Sequence, residues 1–129
     1  MVRAIASCFA GAGGKPALFI LAACMFLSGC FEGAFYYPDS VVYSTPDQRG
    51  LRYERVSFAS RDGTKLAGWF IPALGAQTGK LAKATMVHFH GNAQNLSSHW
   101  EFAGWLPKQG YNVFVFDYRG YGESGGKPG

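Results

Sequence analysis

The sequence predicts an α/β fold, and three observations carry that prediction. Two short strand-like stretches flank an Asp62-Gly63 pair, the signature of an antiparallel hairpin. A third strand-like stretch, a helical stretch and a fourth, almost wholly apolar stretch follow in the order of a βαβ unit, whose crossover is right-handed as a rule. The 129 residues allow one domain at most, and with 48% apolar and 16% charged residues the chain is no disordered tail. Its net charge of +4 is modest. Arg49, Arg52, Arg55 and Arg61 alternate with Asp47, Glu54 and Asp62, which describes a solvated surface rather than a nucleic-acid footprint.

Taken in order, residues 32–50 read as a loop, with Pro38 and Pro46 and no sustained period. Residues 53–60 alternate as a strand, placing Val56 and Phe58 on one face. Arg61-Asp62-Gly63-Thr64 supplies the turn, and residues 66–71 return as a second strand closed by Pro72. A polar loop with Gly75 and Gly79 covers 73–82, and residues 84–90 form the third strand. Ser98 and Glu101 have capping-box spacing, so a helix is expected to begin there. Phe102, Ala103, Trp105 and Leu106 give it an apolar face, and Pro107 and Gly110 end it. Residues 112–117 form the fourth strand, whose continuous apolar run suits a parallel strand covered on both faces. Five glycines and Pro128 make the last stretch, 118–129, a loop.

The first thirty residues read as a targeting segment. Arg3 and Lys15 precede eleven consecutive apolar residues, 17–27. A membrane-spanning helix needs about 20, whereas eleven suits the core of a signal peptide. Leu27-Ser28-Gly29-Cys30 then resembles the bacterial lipobox, which implies lipidation of Cys30 and an exported protein anchored in the cell envelope, on its periplasmic or outer side. An uncleaved anchor over 16–37, interrupted by Glu32, and an ordinary signal peptide are the competing readings. Cys8 and Cys24 would leave with the signal, so the mature part would hold no disulfide and no cysteine metal site. Phe31, where an aspartate would favour inner-membrane retention, points towards the outer membrane. The expected division is a signal peptide over 1–29, a lipid-anchored tether and entrance loop over 30–52, and the folded part over 53–129.

Two motifs fall at strand ends. His90-Gly91-Asn92-Ala93 lies where the third strand turns towards the helix, at the sheet edge where α/β proteins bind ligands. Backbone N–H groups of Asn92 and Ala93 are suited to a developing oxyanion, and such donors are worth about 3–4 kcal/mol each in acyl transfer. Alone, the tetrapeptide is equally a strand end with a satisfied histidine. Asp117-Tyr118-Arg119-Gly120-Tyr121-Gly122-Glu123-Ser124 follows the fourth strand and reads as scaffold, Arg119 forking to carboxylates or carbonyls and the glycines allowing unusual φ.

Together with Gly110-Tyr111-Asn112-Val113, the two motifs resemble the N-terminal part of an α/β-hydrolase, in the serine-aminopeptidase-like and acyl-thioesterase-like branch, over residues 53–129. The resemblance implies a doubly wound, mostly parallel sheet with an antiparallel N-terminal hairpin, of which the N-terminal half is present. It also implies hydrolysis of an ester, thioester or amide, with a small-molecule or acyl substrate, no cofactor and no metal. His90, Gly91, Asn92 and Ala93 match the oxyanion loop, with Asn92 the first choice of backbone donor and Ala93 the second. Asp117, Arg119, Gly120, Gly122 and Ser124 match a structural motif. The family's nucleophile, acid and base come later, in that order, so none of the triad is present and the chain alone is expected to be inactive.

Three decoys compete. Gly122-Glu123-Ser124-Gly125-Gly126 satisfies G-x-S-x-G, but the apolar strand ends seven residues earlier and no helix follows, so Ser124 is not expected to be the nucleophile. His88-x-His90, with His99, has metal-ligand character without the remaining ligands. A patchwork triad of Ser124, His90 and Asp117 lacks any feature that fixes its geometry. A second class of function also stands: a short non-catalytic lipoprotein, a binding module or decayed remnant whose unpaired sheet edge needs a partner.

Overall fold

The computed structural model describes residues 35–75 and 79–128. The signal segment, the lipobox with Cys30 and the start of the tether lie outside the described residues.

Among the described residues, six strands and a short helix follow in chain order: β1 (Tyr37–Pro38), β2 (Glu54–Ala59), β3 (Lys65–Ile71), β4 (Thr85–Phe89), β5 (Ala93–Gln94), α1 (Leu96–His99) and β6 (Asn112–Phe116). The main sheet has the order β2-β3-β6-β4. β2 runs antiparallel to β3, β3 antiparallel to β6, and β6 parallel to β4. The hairpin closes at Gly63, whose φ of 85° a side-chain-bearing residue rarely adopts, and Asp62 Oδ1 accepts from Thr64 N at 3.1 Å. β4, α1 and β6 form the βαβ unit, with Val87 beside Phe114 and Phe89 beside Phe116.

The helix departs from its expected start. Its N-cap is Asn95, in extended conformation, whose side chain accepts from Ser97 N. Ser98 does not cap: its hydroxyl bonds back to Asn95 O at 2.9 Å, and the Glu101 carboxylate meets Arg49 at 3.1 Å instead. α1 lasts one turn and passes into 3₁₀ turns at Trp100–Phe102 and Leu106–Gln109, the last ending at Gly110 with φ 88°.

Residues 36–51, expected as irregular chain, are bound to this turn. β1 pairs in parallel with β5. Tyr43 N donates to Ser97 Oγ, Ser44 Oγ donates to Ser97 O, and Trp100 Nε1 donates to Ser44 Oγ at 2.9 Å. The core forms beneath them, on one face of the sheet: Trp69, Ile71, Val113 and Val115 pack against Leu51, Leu96, Trp100 and Ala103. The apolar run of β6 therefore serves two environments. Val113 and Val115 are fully buried, while Phe114 and Phe116 on the opposite face are half-buried, so among the described residues covering on both faces is met on one only. No helix among those residues is long and apolar enough to cross a membrane.

Candidate oxyanion-loop site

β4 delivers the chain into His90, which is buried. Its Nδ1 donates to Gly91 O at 2.7 Å. The ring lies 4.2 Å from that of Tyr118 and 5.4 Å from that of Tyr121, with His99 stacked at 5.6 Å. His90 Nε2 sits 3.4 Å from Asp117 Oδ1, within ion-pair range but without a made hydrogen bond. Gly91 owes its place to packing rather than to unusual φ: a Cβ there would come within 3.1 Å of His99 Cε1.

The next residues are held from several sides. Tyr121 Oη donates to Asn92 Oδ1 at 2.7 Å and approaches Asn92 O at 3.1 Å, where Tyr37 N also donates. Tyr118 Oη donates to His90 O at 2.8 Å. His99 Nε2 bonds Ala93 O at 3.0 Å. Gln94 is held at φ 63°, a left-handed conformation that costs a non-glycine residue about 1–2 kcal/mol. Burial raises the hydroxyl pKa of both Tyr118 and Tyr121, which keeps them neutral donors at physiological pH. Burial also lowers the pKa of His88, helped by the proximity of His99 and His90.

The second motif interlocks with the first. Asp117, buried at the end of β6, accepts from Leu96 N at 2.7 Å and so caps the turn that follows His90-Gly91-Asn92-Ala93. A Cβ on Gly122, at φ 52°, would overlap the Asp117 carboxylate, so glycine is required there. Ser124 Oγ accepts from Ala67 N at 2.9 Å and donates to Asp117 O at 2.8 Å. Arg119 joins the loop to the hairpin turn through Asp62 and through Ser60 Oγ at 2.7 Å. The Thr64 N–H and then Arg119 hold the exposed Asp62 carboxyl well below the usual range.

The structure thus brings together His90, Gly91, Asn92, Ala93, Asp117, Gly122 and Ser124. Ser124, His90 and Asp117 are neighbours, yet the serine hydroxyl is spent on two backbone groups, and the histidine is packed between tyrosines. No group of three candidate ligands that could hold a metal occurs among the described residues. Sequence reasoning missed Asn95, whose amide donates to Asp39 Oδ1 at 2.7 Å and Val41 O at 2.8 Å. It also missed the hydroxyls of Tyr118 and Tyr121. An asparagine just ahead of the helical stretch, and two tyrosines bracketing Arg119-Gly120, were the available signals.

Comparison with known proteins agrees with this geometry. The family model described as serine aminopeptidase S33 matches residues 80–129. The protein YfhR of Escherichia coli is 47% identical over 114 residues, covering 86% of this chain and 38% of the relative. The α/β-hydrolase domain-containing protein WAV2 of Arabidopsis thaliana is 36% identical over 85 residues, covering 65% of this chain and 26% of the relative. The Pyrococcus furiosus esterase Pf2001 superposes with a TM-score of 0.59 at 31% identity, covering 72% of this chain and 35% of the esterase. The chain spans a little over a third of the length of its YfhR relatives. With a βαβ unit joined to an antiparallel hairpin, and two interlocked motifs at the strand ends, this chain has the N-terminal part of an α/β-hydrolase fold and is similar to proteins of that family.

Proposed function

We propose that the chain supplies the oxyanion loop of a serine hydrolase held at the bacterial envelope by a lipid on Cys30. The observation that carries this is how the carbonyls around Asn92 are pinned. A peptide unit is planar and trans, so fixing the carbonyl of one residue fixes the N–H of the next. His90 Nδ1 holds Gly91 O, which sets the Asn92 N–H. Tyr37 N donates to Asn92 O, with Tyr121 Oη alongside at 3.1 Å, which sets the Ala93 N–H. Donors fixed before substrate arrives stabilise a developing oxyanion without reorganisation during the reaction.

The bond cleaved is an ester, thioester or amide of a small-molecule or acyl substrate. A serine nucleophile, an acid and a histidine base would come from polypeptide beyond the residues seen here. The structural likeness to an esterase supports an ester first. The signal-like segment and Leu27-Ser28-Gly29-Cys30 support export and a membrane anchor, with two or more acyl chains giving stable attachment.

The test is made on the native product in an envelope fraction, by intact mass and by an active-site phosphonate. A lipid-bearing product that takes the phosphonate on a serine supports the proposal. A lipid-bearing product that never takes it supports a non-catalytic lipoprotein instead, and a product without lipid removes the anchor.

A further inference from the structure

Residues 30–52 read in the sequence as tether and entrance loop, yet β1 within them helps to frame the site. Tyr37 N donates to Asn92 O at 3.3 Å, and Asp39 N donates to Gln94 O at 3.4 Å. Both carbonyls therefore face β1. A trans peptide sets its N–H opposite its carbonyl, so the Ala93 N–H faces away from β1, on the side where His99 Nε2 bonds Ala93 O. The pairing with β1 thus decides which way the Ala93 donor points. A ladder of two residues is weak by itself, and Pro38 brings no N–H to it.

Asp39 supplies what the ladder lacks. Its Oδ1 accepts from Asn95 Nδ2 at 2.7 Å and from Val41 N at 3.2 Å, and its Oδ2 accepts from Tyr43 Oη at 2.6 Å. Its carbonyl accepts from Gly122 N at 2.9 Å, and next to it Ser40 Oγ donates to Gly122 O at 3.0 Å. One half-buried aspartate so joins β1 to the residues after His90-Gly91-Asn92-Ala93 and to the loop after β6. Its bonds to Gln94 O and to the Asn95 amide flank Gln94, whose φ of 63° a non-glycine residue keeps only where its neighbours fix it from several sides. We propose that Asp39 is a positioning residue: it clamps β1 against β5 and through that pairing fixes the direction of the Ala93 N–H. This rests on the oxyanion role proposed above and deepens it. The segment ahead of β2, and not β4 alone, sets the donors, and the Asp39 carboxylate acts through Asn95 and β5.

The experiment follows backbone exchange in the full chain, at Ala93 and Gln94 and, beside them, at Val113 and Val115 of the core. Asp39→Ala should speed exchange at the first pair about tenfold or more and leave the core pair within about twofold. Asp39→Asn keeps an acceptor oxygen for Asn95 and should speed it only about twofold. Val42→Ala, at an exposed position of the same segment, should change neither pair. In the assembled, phosphonate-reactive protein of the envelope fraction, Asp39→Ala should lower the maximal labelling rate about tenfold or more while the half-saturating phosphonate concentration holds, as a displaced oxyanion donor requires. Circular dichroism shows which variants fold. If Asp39→Ala does not, Tyr43→Phe, which removes only the bond to Asp39 Oδ2, carries the test with exchange about threefold faster. Unchanged exchange at Ala93 and Gln94, equal acceleration in the core, an Asp39→Asn loss as large as that of Asp39→Ala, or labelling at the native rate in Asp39→Ala would each overturn the proposal. The two readings fail separately: a protein that no variant lets the phosphonate label refutes the hydrolase, while faster exchange confined to Ala93 and Gln94 in Asp39→Ala still upholds the clamp.

Discussion

The two faces of the sheet are made by the same strands and differ in what lies over them. Beneath one, Trp69, Ile71, Val113 and Val115 meet Trp100, Leu96 and Leu51, and the segment 36–51 is tied across the top by Ser44 and Ser97. Over the other, Phe58, Phe114, Phe116 and Phe89 touch mainly one another. The His90-Gly91-Asn92-Ala93 loop leads into the covered face, where Asp117 and Asn95 anchor α1. The difference teaches that, among the described residues, the face beside the His90-Gly91-Asn92-Ala93 loop is packed and held by long-range hydrogen bonds, while the aromatic face is held only by its own rings.

Substitutions can break or sharpen this contrast. Trp100→Ala removes a fully buried ring and its bond to Ser44, and should cost about 3–5 kcal/mol in urea unfolding, enough to unfold a small domain. A loss below 1 kcal/mol, on the order of a surface change, would erase the contrast between the faces. Asp117→Ala leaves the buried Leu96 N–H without an acceptor and should cost about 1–3 kcal/mol, whereas Asp117→Asn retains an acceptor oxygen and should cost less. Tyr121→Phe removes the bonds to Asn92 and should cost about 1 kcal/mol, with faster amide exchange at Ala93. Phe89→Ser on the bare face should change stability by no more than about 0.5 kcal/mol while raising solubility.

Acid should act weakly through His88, on the margin of the covered face. Its folded pKa lies below the ordinary 6.5, so the unfolded chain binds the proton more readily. The stability it contributes is present above pH 6.5 and is lost as pH falls through the lowered folded value, and His88→Gln should flatten that slope in melts at stepped pH.

Local chemistry made much of this legible. Asp62-Gly63 marked the hairpin, the run through 112–117 marked β6, and glycine-rich motifs at two strand ends marked the site. What escaped depends on partners far along the chain. β1 and β5 are two residues each, too short to show a period, and one of them contains Pro38. The helix start was misplaced because Ser98 and Glu101 have capping-box spacing, yet Asn95 is fixed by Asp39, 56 residues away. The tyrosine hydroxyls reach back 28 and 29 residues to His90 and Asn92, a distance no motif encodes.

The central claim, that Asn92 donates its backbone N–H to an oxyanion, is tested most directly by comparing Asn92→Pro with Asn92→Ala in the assembled, phosphonate-reactive protein. Proline removes the N–H and alanine keeps it. Labelling should slow by about 10²–10³-fold in Asn92→Pro and only a few-fold in Asn92→Ala. Equal rates in the two variants would contradict it.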